Sequence, residues 1–247
     1  MNLRGNTVFI TGGGSGIGQA LAEAFHHRGN QVIIAGRRRS ALDETLRVNP
    51  GMAAIELDVQ NPESIQEAAQ RLVRDFPRTN VLINNAGIML PDSAETVQDD
   101  AQLVSTVTTN LIGPIRITSA LIEHLKAQPS ATIIYNTSVL GFVPMAVTSV
   151  YSATKAALHS YVLSQRFKLR NTSVQVVELA PPWVRTDLMN SREAEAAMPL
   201  ADFMEQVLQQ LGTDAREILA GNAPELRANP GPREHAFVEG FNASLPF

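Results

Sequence analysis

Cysteine is absent from this chain of 247 residues. Without thiols the chain has no disulfide, no thiolate nucleophile and no cysteine-ligated zinc. An excess of positive charge is also lacking, because 20 Lys and Arg residues stand against 24 Asp and Glu residues and give a formal charge of −4. We therefore expect no nucleic-acid partner, since phosphate binding needs an excess of basic side chains.

Long apolar stretches are missing as well. No run approaches the ~18 residues that a membrane-spanning helix needs, and Met1–Asn6 has no basic start followed by an apolar stretch. We therefore expect neither a signal peptide nor a membrane partner, and the predicted location is cytoplasmic. With 44% hydrophobic and 18% charged residues, the chain is expected to fold rather than to be disordered.

Short β-branched runs alternate with longer amphipathic segments, which is typical of βαβ crossovers. The predicted strands are Thr7–Thr11, Gln31–Ala35, Ala53–Leu57, Val81–Ile83, Thr132–Asn136, Val174–Leu179 and a short Glu217–Ala220. The predicted helices are Gly16–His27, Arg38–Leu46, Glu63–Asp75, two between about Asp99 and Ala127, Ser152–Leu169 and Asp202–Leu211. This alternation predicts an α/β fold, a doubly wound Rossmann-type parallel sheet of six or seven strands with helices on both faces.

A single domain over residues 1–247 is expected, although the length alone corresponds to about 1.6 average domains. Residues 187–247 are predicted to be its variable part. Within them, Asp187–Pro199 is predicted to be a mobile insertion, and Asn222–Phe247 shows little periodicity and contains prolines at 224, 230, 232 and 246.

A glycine-rich turn links the first strand to the first helix, with the sequence Thr11-Gly12-Gly13-Gly14-Ser15-Gly16-Ile17-Gly18. Glycine permits a tight turn and lets the backbone approach a pyrophosphate resting on the helix N-terminus. Such a turn can be purely structural. Its place between a strand and a helix, at the start of a doubly wound fold, favours dinucleotide binding. The predicted contacts are Gly12, Ser15, Gly16, Ile17 and Gly18.

The end of the second strand indicates which dinucleotide binds. Rossmann sites for NAD carry an acid about 20 positions on, which binds the ribose 2′-hydroxyl. Here Ala35-Gly36-Arg37-Arg38-Arg39 occupies that place, and the next acid is Asp43. Arg37, with Arg38 beside it, can instead fork onto the 2′-phosphate of NADP. A solvated basic helix start is the alternative, but basic residues there oppose the helix dipole. We therefore expect NADP(H).

Three later strands are followed by further polar motifs. Asp58-Val59 follows the third strand, Asn84-Asn85-Ala86-Gly87 the fourth, and Ser138 the fifth. Tyr151 and Lys155, four positions apart, lie on one helix face, with Asn110 upstream. Each has an ordinary explanation taken alone, such as a strand-end serine, a core tyrosine, a solvated lysine or a helix-start aspartate. Together, over roughly residues 5–190, they resemble the short-chain dehydrogenase/reductase family.

The resemblance implies a catalytic set made of Ser138, Tyr151, Lys155 and Asn110. Tyr151 would exchange the proton, Ser138 would hold the substrate carbonyl, and Asn110 would anchor a water leading to Lys155. Lys155 would also bind the nicotinamide ribose. A free phenol has a pKa of about 10, and lowering it to about 7 takes roughly 4 kcal/mol. The Lys155 ammonium is expected to supply much of this preference for the phenolate.

The resemblance also implies further cofactor contacts. Asp58 and Val59 would touch the adenine, Asn85, Ala86 and Gly87 would let the cofactor pass close to the sheet, and Pro181, Val184 and Thr186 would flank the nicotinamide carboxamide. The family usually has glycine where this chain has Pro182, a change that stiffens the segment and removes a backbone donor.

Apolar residues are predicted to wall the substrate: Leu140–Val147, Met89-Leu90-Pro91, Trp183, Leu188, Met189 and Met198. They indicate a hydrophobic ketone, keto ester, aldehyde or secondary alcohol, and ordinary packing is the alternative. Arg185 or Arg192 would bind a substrate carboxylate or lie at the surface. The histidines at 26, 27, 124, 159 and 235 are interpreted as surface or packing residues, so no metal is expected. The Ala153–Leu169 helix face would pair subunits in a homodimer or homotetramer.

Two other functions remain open on the same fold. One is a non-catalytic NADP-sensing binding protein, for which a proton donor would serve no purpose. The other is an epimerase or dehydratase, which would show no net NADPH consumption.

Overall fold

A computed structural model describes residues 1–228 and 231–244, so Pro230 and Pro246 lie outside the described residues. The strands are β1 (Thr7–Thr11), β2 (Gln31–Gly36), β3 (Ala53–Glu56), β4 (Thr79–Asn84), β5 (Ala131–Asn136), β6 (Val174–Ala180) and β7 (Glu217–Leu219). The helices are α1 (Gly16–His26), α2 (Arg39–Val48), α3 (Pro62–Asp75), α4 (Asp100–Val107), α5 (Gly113–Lys126), α6 (Ser149–Leu169), α7 (Leu200–Leu211), α8 (Ala223–Arg227) and α9 (Glu234–Ala243).

All seven strands pair in parallel in the order β3-β2-β1-β4-β5-β6-β7. The chain therefore winds outward from β1 in one direction and from β4 in the other. In open α/β sheets, the carboxyl ends of the strands at such a reversal border a crevice in which ligands bind. The predicted doubly wound sheet is confirmed, and the short seventh strand is part of it.

Two apolar layers cover the sheet, and this explains the nearly continuous apolar strands. Val8 and Ile10 of β1 pack with α1 and α7, whereas Phe9 between them packs with α3, α5 and α6. Alternate residues of a strand point to opposite faces, so a strand covered on both faces is apolar throughout. The polar residues at the strand ends therefore stand out against this background.

Helix starts follow the sequence signals in some places and shift in others. Asn61, a residue type common at helix starts, caps α3 by accepting a hydrogen bond from the Ser64 amide (3.0 Å), with Pro62 in the first turn. α2 begins at Arg39 rather than Arg38. The two helical stretches predicted between 99 and 127 are α4 and α5, joined by a wide π-helical turn over Thr108–Ile112.

The variable part has more regular structure than predicted. Leu188–Glu193, inside the predicted insertion, forms a 3₁₀ turn. Two short helices, α8 and α9, form within the stretch of little periodicity, and their few apolar positions explain the weak pattern. In the part of the chain that the structure describes, no helix has both the length and the apolar content to cross a membrane.

Candidate active site

The glycine turn after β1 is compact because its residues have almost no room for side chains. A Cβ on Gly18 would lie 2.2 Å from the Gly12 carbonyl oxygen, and one on Gly13 would lie 2.6 Å from Cγ2 of Ile34. Gly12 and Gly16 have φ values of +69° and +54°, a region that favours glycine. The Gly12 and Gly13 amides both donate to the Ala35 carbonyl, which fixes the turn against β2.

The amide-rich start of α1 borders this turn. Ser15 precedes the helix and makes no side-chain cap, so the first-turn amides have no capping acceptor from it. Ser15, Gly16 and Ile17 line a cavity at the carboxyl edge of the sheet. Unpaired helix amides and the helix dipole together attract a phosphate.

Asn85, directly after β4, ties the two sides of the crevice together. Its Nδ2 donates to the Thr11 and Gly12 carbonyls (3.0 and 3.3 Å), and its Oδ1 accepts from Asn136 at the end of β5 (2.7 Å). Thr11 Oγ1 accepts from the amides of Asn85 and Ala86. These bonds hold the ends of β1, β4 and β5 in one rigid floor.

Ser138, Tyr151 and Lys155 meet at that floor, and all three are buried. Ser138 follows β5, and its Oγ accepts a hydrogen bond from the Leu140 amide (3.1 Å). Lys155 lies one turn after Tyr151 on α6, with its Nζ 5.4 Å from the Tyr151 ring centre. The Lys155 ammonium donates to the Asn136 carbonyl (2.7 Å). The structure thus brings together three of the four residues that the family resemblance implies as a catalytic set.

Burial controls the protonation of this pair. It raises the pKa of Tyr151 to about 12, although a hydrogen bond with Ser138 acts in the opposite direction. Burial also lowers the pKa of Lys155 to about 8, against the raising effect of the Glu178 carboxylate. The expectation that Lys155 lowers the pKa of the Tyr151 phenol concerns the site with its cofactor bound and stays a prediction. In the protein alone, desolvation is the largest influence on the phenol and favours its protonated form.

Asn110 lies behind the floor, within the π-helical turn. Its side chain accepts from the Ile88 amide (2.9 Å) and donates to the Ile88 carbonyl (2.8 Å). A Cβ on Gly87 would lie 3.3 Å from Asn110 Oδ1 and 3.9 Å from Lys155 Nζ, so Asn110 and Lys155 flank Gly87. Asn110 does not line the cavity; its side chain fixes the Gly87–Ile88 segment next to Lys155.

The cavity above these groups has a volume of about 810 Å³. The predicted residues that line it are Gly12, Ser15, Gly16, Ile17, Asn85, Ala86, Gly87, Ser138, Tyr151, Lys155, Pro181, Val184 and Thr186. Of the predicted apolar wall, Met89, Leu140, Met145, Trp183, Leu188, Met189 and Met198 line it. Leu90, Pro91 and the remainder of Leu140–Val147 do not line it.

Five predicted cofactor contacts lie outside the cavity. Arg37 and Arg38 are exposed at the end of β2, beside the glycine turn. Asp58 accepts from the Gln60 amide (2.9 Å), so its side chain forms the turn before α3, the ordinary alternative for this residue. Val59 is buried, and its carbonyl oxygen would be 2.9 Å from a Cβ on Gly113. Gly18 packs beneath Gly12 and likewise does not line the cavity.

Several lining residues escaped prediction. Leu226 of α8 and Phe241 of α9 close one side of the cavity. Asn242 holds α9 in place by accepting from the Ala146 amide and donating to the Pro144 carbonyl. Asn136 was missed too, although a polar residue ending an apolar strand was a usable signal. Its Oδ1 is buried and has no partner among the described residues.

The segment after β6 is held by Arg185. The Arg185 guanidinium donates to the carbonyls of Ala194, Glu195 and Ala197, so it fixes the variable segment and has no carboxylate partner among the described residues. Arg192 pairs with Asp187 instead. The sequence left two interpretations open for these arginines, binding of a substrate carboxylate or a position at the surface. The contacts favour structural roles for both.

His159, interpreted from the sequence as a surface or packing residue, packs edge-on against the Phe142 ring, with 5.1 Å between the ring centres. It donates from Nδ1 to the buried Glu178 carboxylate (2.8 Å), and Glu217 lies close by. In this cluster, each carboxylate has protein partners: Thr137 and His159 for Glu178, and Arg227 for Glu217.

The residues at the crevice fit a dinucleotide. The glycine positions form a cradle that any Cβ would fill, and the start of α1 offers amides to a pyrophosphate. Thr186 closes the cradle from the other side, since a Cβ on Gly16 would lie 3.5 Å from the Thr186 Cβ. Beyond the cradle, the cavity passes over Tyr151 and Lys155 towards the apolar wall.

The parallel sheet, the glycine turn and the buried residues Ser138, Tyr151 and Lys155 together define a class of protein. Comparison with known proteins gives the same class. Residues 6–197 match the model of the short chain dehydrogenase family. The chain belongs to the short-chain dehydrogenase/reductase family of oxidoreductases.

Individual relatives are similar to different extents. The oxidoreductase DltE of Bacillus subtilis is 40% identical over 189 residues, which cover 76% of this chain and 75% of that protein. A short chain dehydrogenase from Burkholderia cenocepacia, solved in complex with NADP, is 26% identical with a TM-score of 0.85, covering 96% of this chain and 99% of that one. One from Burkholderia phymatum, solved with NAD, shares the fold at 20% identity with a TM-score of 0.85, covering 100% of this chain and 99% of the other.

Proposed function

We propose that this protein is an NADP(H)-dependent carbonyl reductase that acts on small hydrophobic ketones, keto esters or aldehydes, with the secondary alcohol as the product. The observation that carries the proposal is the joint burial of Ser138, Tyr151 and Lys155 on the floor of a cavity whose outer wall is apolar. NADPH, when bound, supplies the hydride. The residues of the chain supply the proton and hold the carbonyl.

Tyr151 is the proposed proton donor. Because its pKa is about 12, the phenol stays protonated at any working pH and can donate to the alkoxide that forms during reduction. Ser138 is placed to hold the carbonyl oxygen beside it. The Lys155 ammonium adds a positive charge as the phenolate develops. In the reverse direction, oxidation of the alcohol would need Tyr151 as the phenolate.

The pH dependence of the wild-type enzyme follows from Lys155. Its pKa of about 8 means that the ammonium is present below that pH and is lost as the pH rises through it. We expect kcat/KM for NADPH to be level near pH 6–7 and to fall roughly tenfold per unit well above pH 8. Initial rates of NADPH oxidation, at low NADPH and saturating carbonyl concentrations, measure this. A rate that stays level to pH 9.5 would contradict the role of Lys155.

The preference for NADP over NAD is proposed from Arg37 and Arg38. Both are exposed beside the glycine turn, and no acidic residue ends β2. Arg37→Glu is expected to weaken NADPH binding by roughly 10–100-fold, because a charge-assisted phosphate contact becomes a repulsion, while NADH binding changes little. Titrations of the cofactor fluorescence measure both affinities.

The matched control for this change is Arg47→Glu, the same charge reversal at an exposed position in the last turn of α2. It is expected to leave both affinities unchanged. Equal affinity of the wild-type protein for NADPH and NADH would overturn the assignment of the cofactor.

The substrate class is proposed from the wall. Apolar side chains surround the space beyond Tyr151: Met89, Leu140, Met145, Trp183, Met198, Leu226 and Phe241. A screen of NADPH oxidation over ketones, keto esters and aldehydes of graded length tests the proposal. Apolar carbonyls are expected to react faster than keto acids. The absence of any net NADPH oxidation would favour the sensor or the epimerase instead.

Self-association belongs to the same proposal. α6 leaves Leu163 and Phe167 exposed on its outer face, and the neighbouring α4 exposes Val104. Large apolar side chains that are exposed on a helix face are typical of contacts between subunits. They support the homodimer or homotetramer expected from the sequence.

A further inference from the structure

Glu178 is a buried charge that the proposed reaction does not use. It lies in β6 with no solvent exposure, between the apolar residues Val177 and Leu179. A buried carboxylate is costly unless it is well paired, and an apolar residue would fill this strand position without that cost. Its presence beneath the floor of the cavity therefore needs a reason beyond packing.

Two hydrogen bonds fix the Glu178 carboxylate. Thr137 Oγ1 donates to Oε1 (2.7 Å), and His159 Nδ1 donates to Oε2 (2.8 Å). Both donors adjoin the proposed machinery. Thr137 stands between Asn136, whose carbonyl accepts from Lys155, and Ser138. His159 lies one turn beyond Lys155 on α6.

We propose that Glu178 is a positioning residue for Lys155 and Ser138, acting through its bond to Thr137 and through its negative charge beneath the Lys155 ammonium. This inference rests on the proposed function, because it takes the role of Lys155 from there. The bond to Thr137 fixes the end of β5 and therefore the positions of the Asn136 carbonyl and of Ser138. The charge favours the protonated form of Lys155 inside a desolvated site.

Other charged and titratable groups surround Glu178 on the elements packed against it. They are Lys155, His159 and Arg166 from α6, Arg216 and Glu217 at β7, Arg227 from α8 and Tyr135 from β5. Arg166 donates to the Val176 and Arg216 carbonyls, and Arg227 pairs with Glu217 (3.0 Å). The Tyr135 hydroxyl bonds to Thr118 and Gln165. Among these groups, the Lys155 ammonium belongs to the proposed machinery.

A direct titration of Lys155 tests the charge effect without any cofactor. The chain contains three lysines, at 126, 155 and 168. Selective ¹³C and ¹⁵N labelling of lysine side chains therefore gives three signals, which Lys126→Arg and Lys168→Arg assign. In the wild-type protein, Lys155 is expected to titrate near pH 8. Glu178→Gln keeps the shape of the side chain and is expected to lower this midpoint by about half a unit to one unit.

Glu217→Gln is the matched control. It removes the same charge at the position paired with Glu178 on the adjacent strand, and Glu217 is bonded to Arg227 rather than to Thr137. Its Lys155 midpoint is expected to stay within about 0.2 units of the wild type. A folded Glu178→Gln protein with an unchanged Lys155 midpoint would overturn the proposed charge effect.

Thr137→Val provides a second variant that leaves the Glu178 charge in place. It removes the hydroxyl that bonds Glu178 next to the end of β5, so kcat is expected to fall about tenfold. Full turnover in Thr137→Val would overturn the positioning role. If Glu178→Gln does not fold, Thr137→Val still tests this role. If the wild-type protein reduces no carbonyl, the proposed function fails, and the titration of Lys155 still reads the Glu178 effect independently.

Discussion

Replacement of Tyr151 by phenylalanine is expected to lower kcat for carbonyl reduction by about 10²–10⁴-fold while the affinity for NADPH stays within about threefold of the wild type. The substitution removes the proposed proton donor and keeps the ring that packs beside Lys155 in the buried floor. Stopped-flow or steady-state NADPH oxidation measures kcat, and fluorescence titration measures cofactor binding.

The chain offers a matched control on the same helix. Tyr161 is one of three tyrosines, lies on α6 and accepts a hydrogen bond from Gln165 (3.3 Å), outside the cavity. Tyr161→Phe therefore makes the same chemical change without touching the floor, and its turnover is expected to match the wild type. If Tyr151→Phe retains more than a tenth of the wild-type kcat, Tyr151 is not the proton donor.

Replacement of Gly18 by alanine is expected to weaken NADPH binding at least about 100-fold, which corresponds to about 2.7 kcal/mol. The added Cβ would lie 2.2 Å from the Gly12 carbonyl oxygen and 2.3 Å from Asn85 Nδ2. The turn must shift to relieve this overlap, and the amides that cradle the pyrophosphate shift with it. Binding is measured by titration, and circular dichroism shows whether the protein is folded.

Gly240→Ala is the control for this substitution. Gly240 lies in α9, and a Cβ there would meet no atom within 4 Å. Its NADPH affinity is expected to be unchanged. A folded Gly18→Ala protein that binds NADPH as tightly as the wild type would show that the glycine turn does not hold the cofactor.

The sheet was predictable because its signals are local. A strand covered on both faces must be apolar along its whole length, as Thr7–Thr11 nearly is. The turn after it packs Gly18 under Gly12, and few residues other than glycine fit there. The pairing of Tyr151 with Lys155 was equally accessible, since helical spacing alone places them one turn apart.

The parts that escaped prediction depend on distant packing. Nothing local to Phe241 indicates that α9 folds back onto the loop at 144–146, since that contact joins residues almost 100 positions apart. The protonation of Tyr151 could not be derived from the sequence for a related reason. Residue spacing shows which charged group lies near the phenol, but only the folded structure shows to what extent the phenol is removed from water.

The position of α8 and α9 bears on how members of this family diverge. The family match ends at residue 197, whereas Leu226 and Phe241, which wall the cavity, come after it. Part of the wall is therefore encoded outside the stretch of the chain that carries the reacting groups. Substitutions after residue 197 can change which molecule fits the cavity while the proton donor and the glycine turn stay the same. Two relatives can therefore catalyse the same reaction on different compounds.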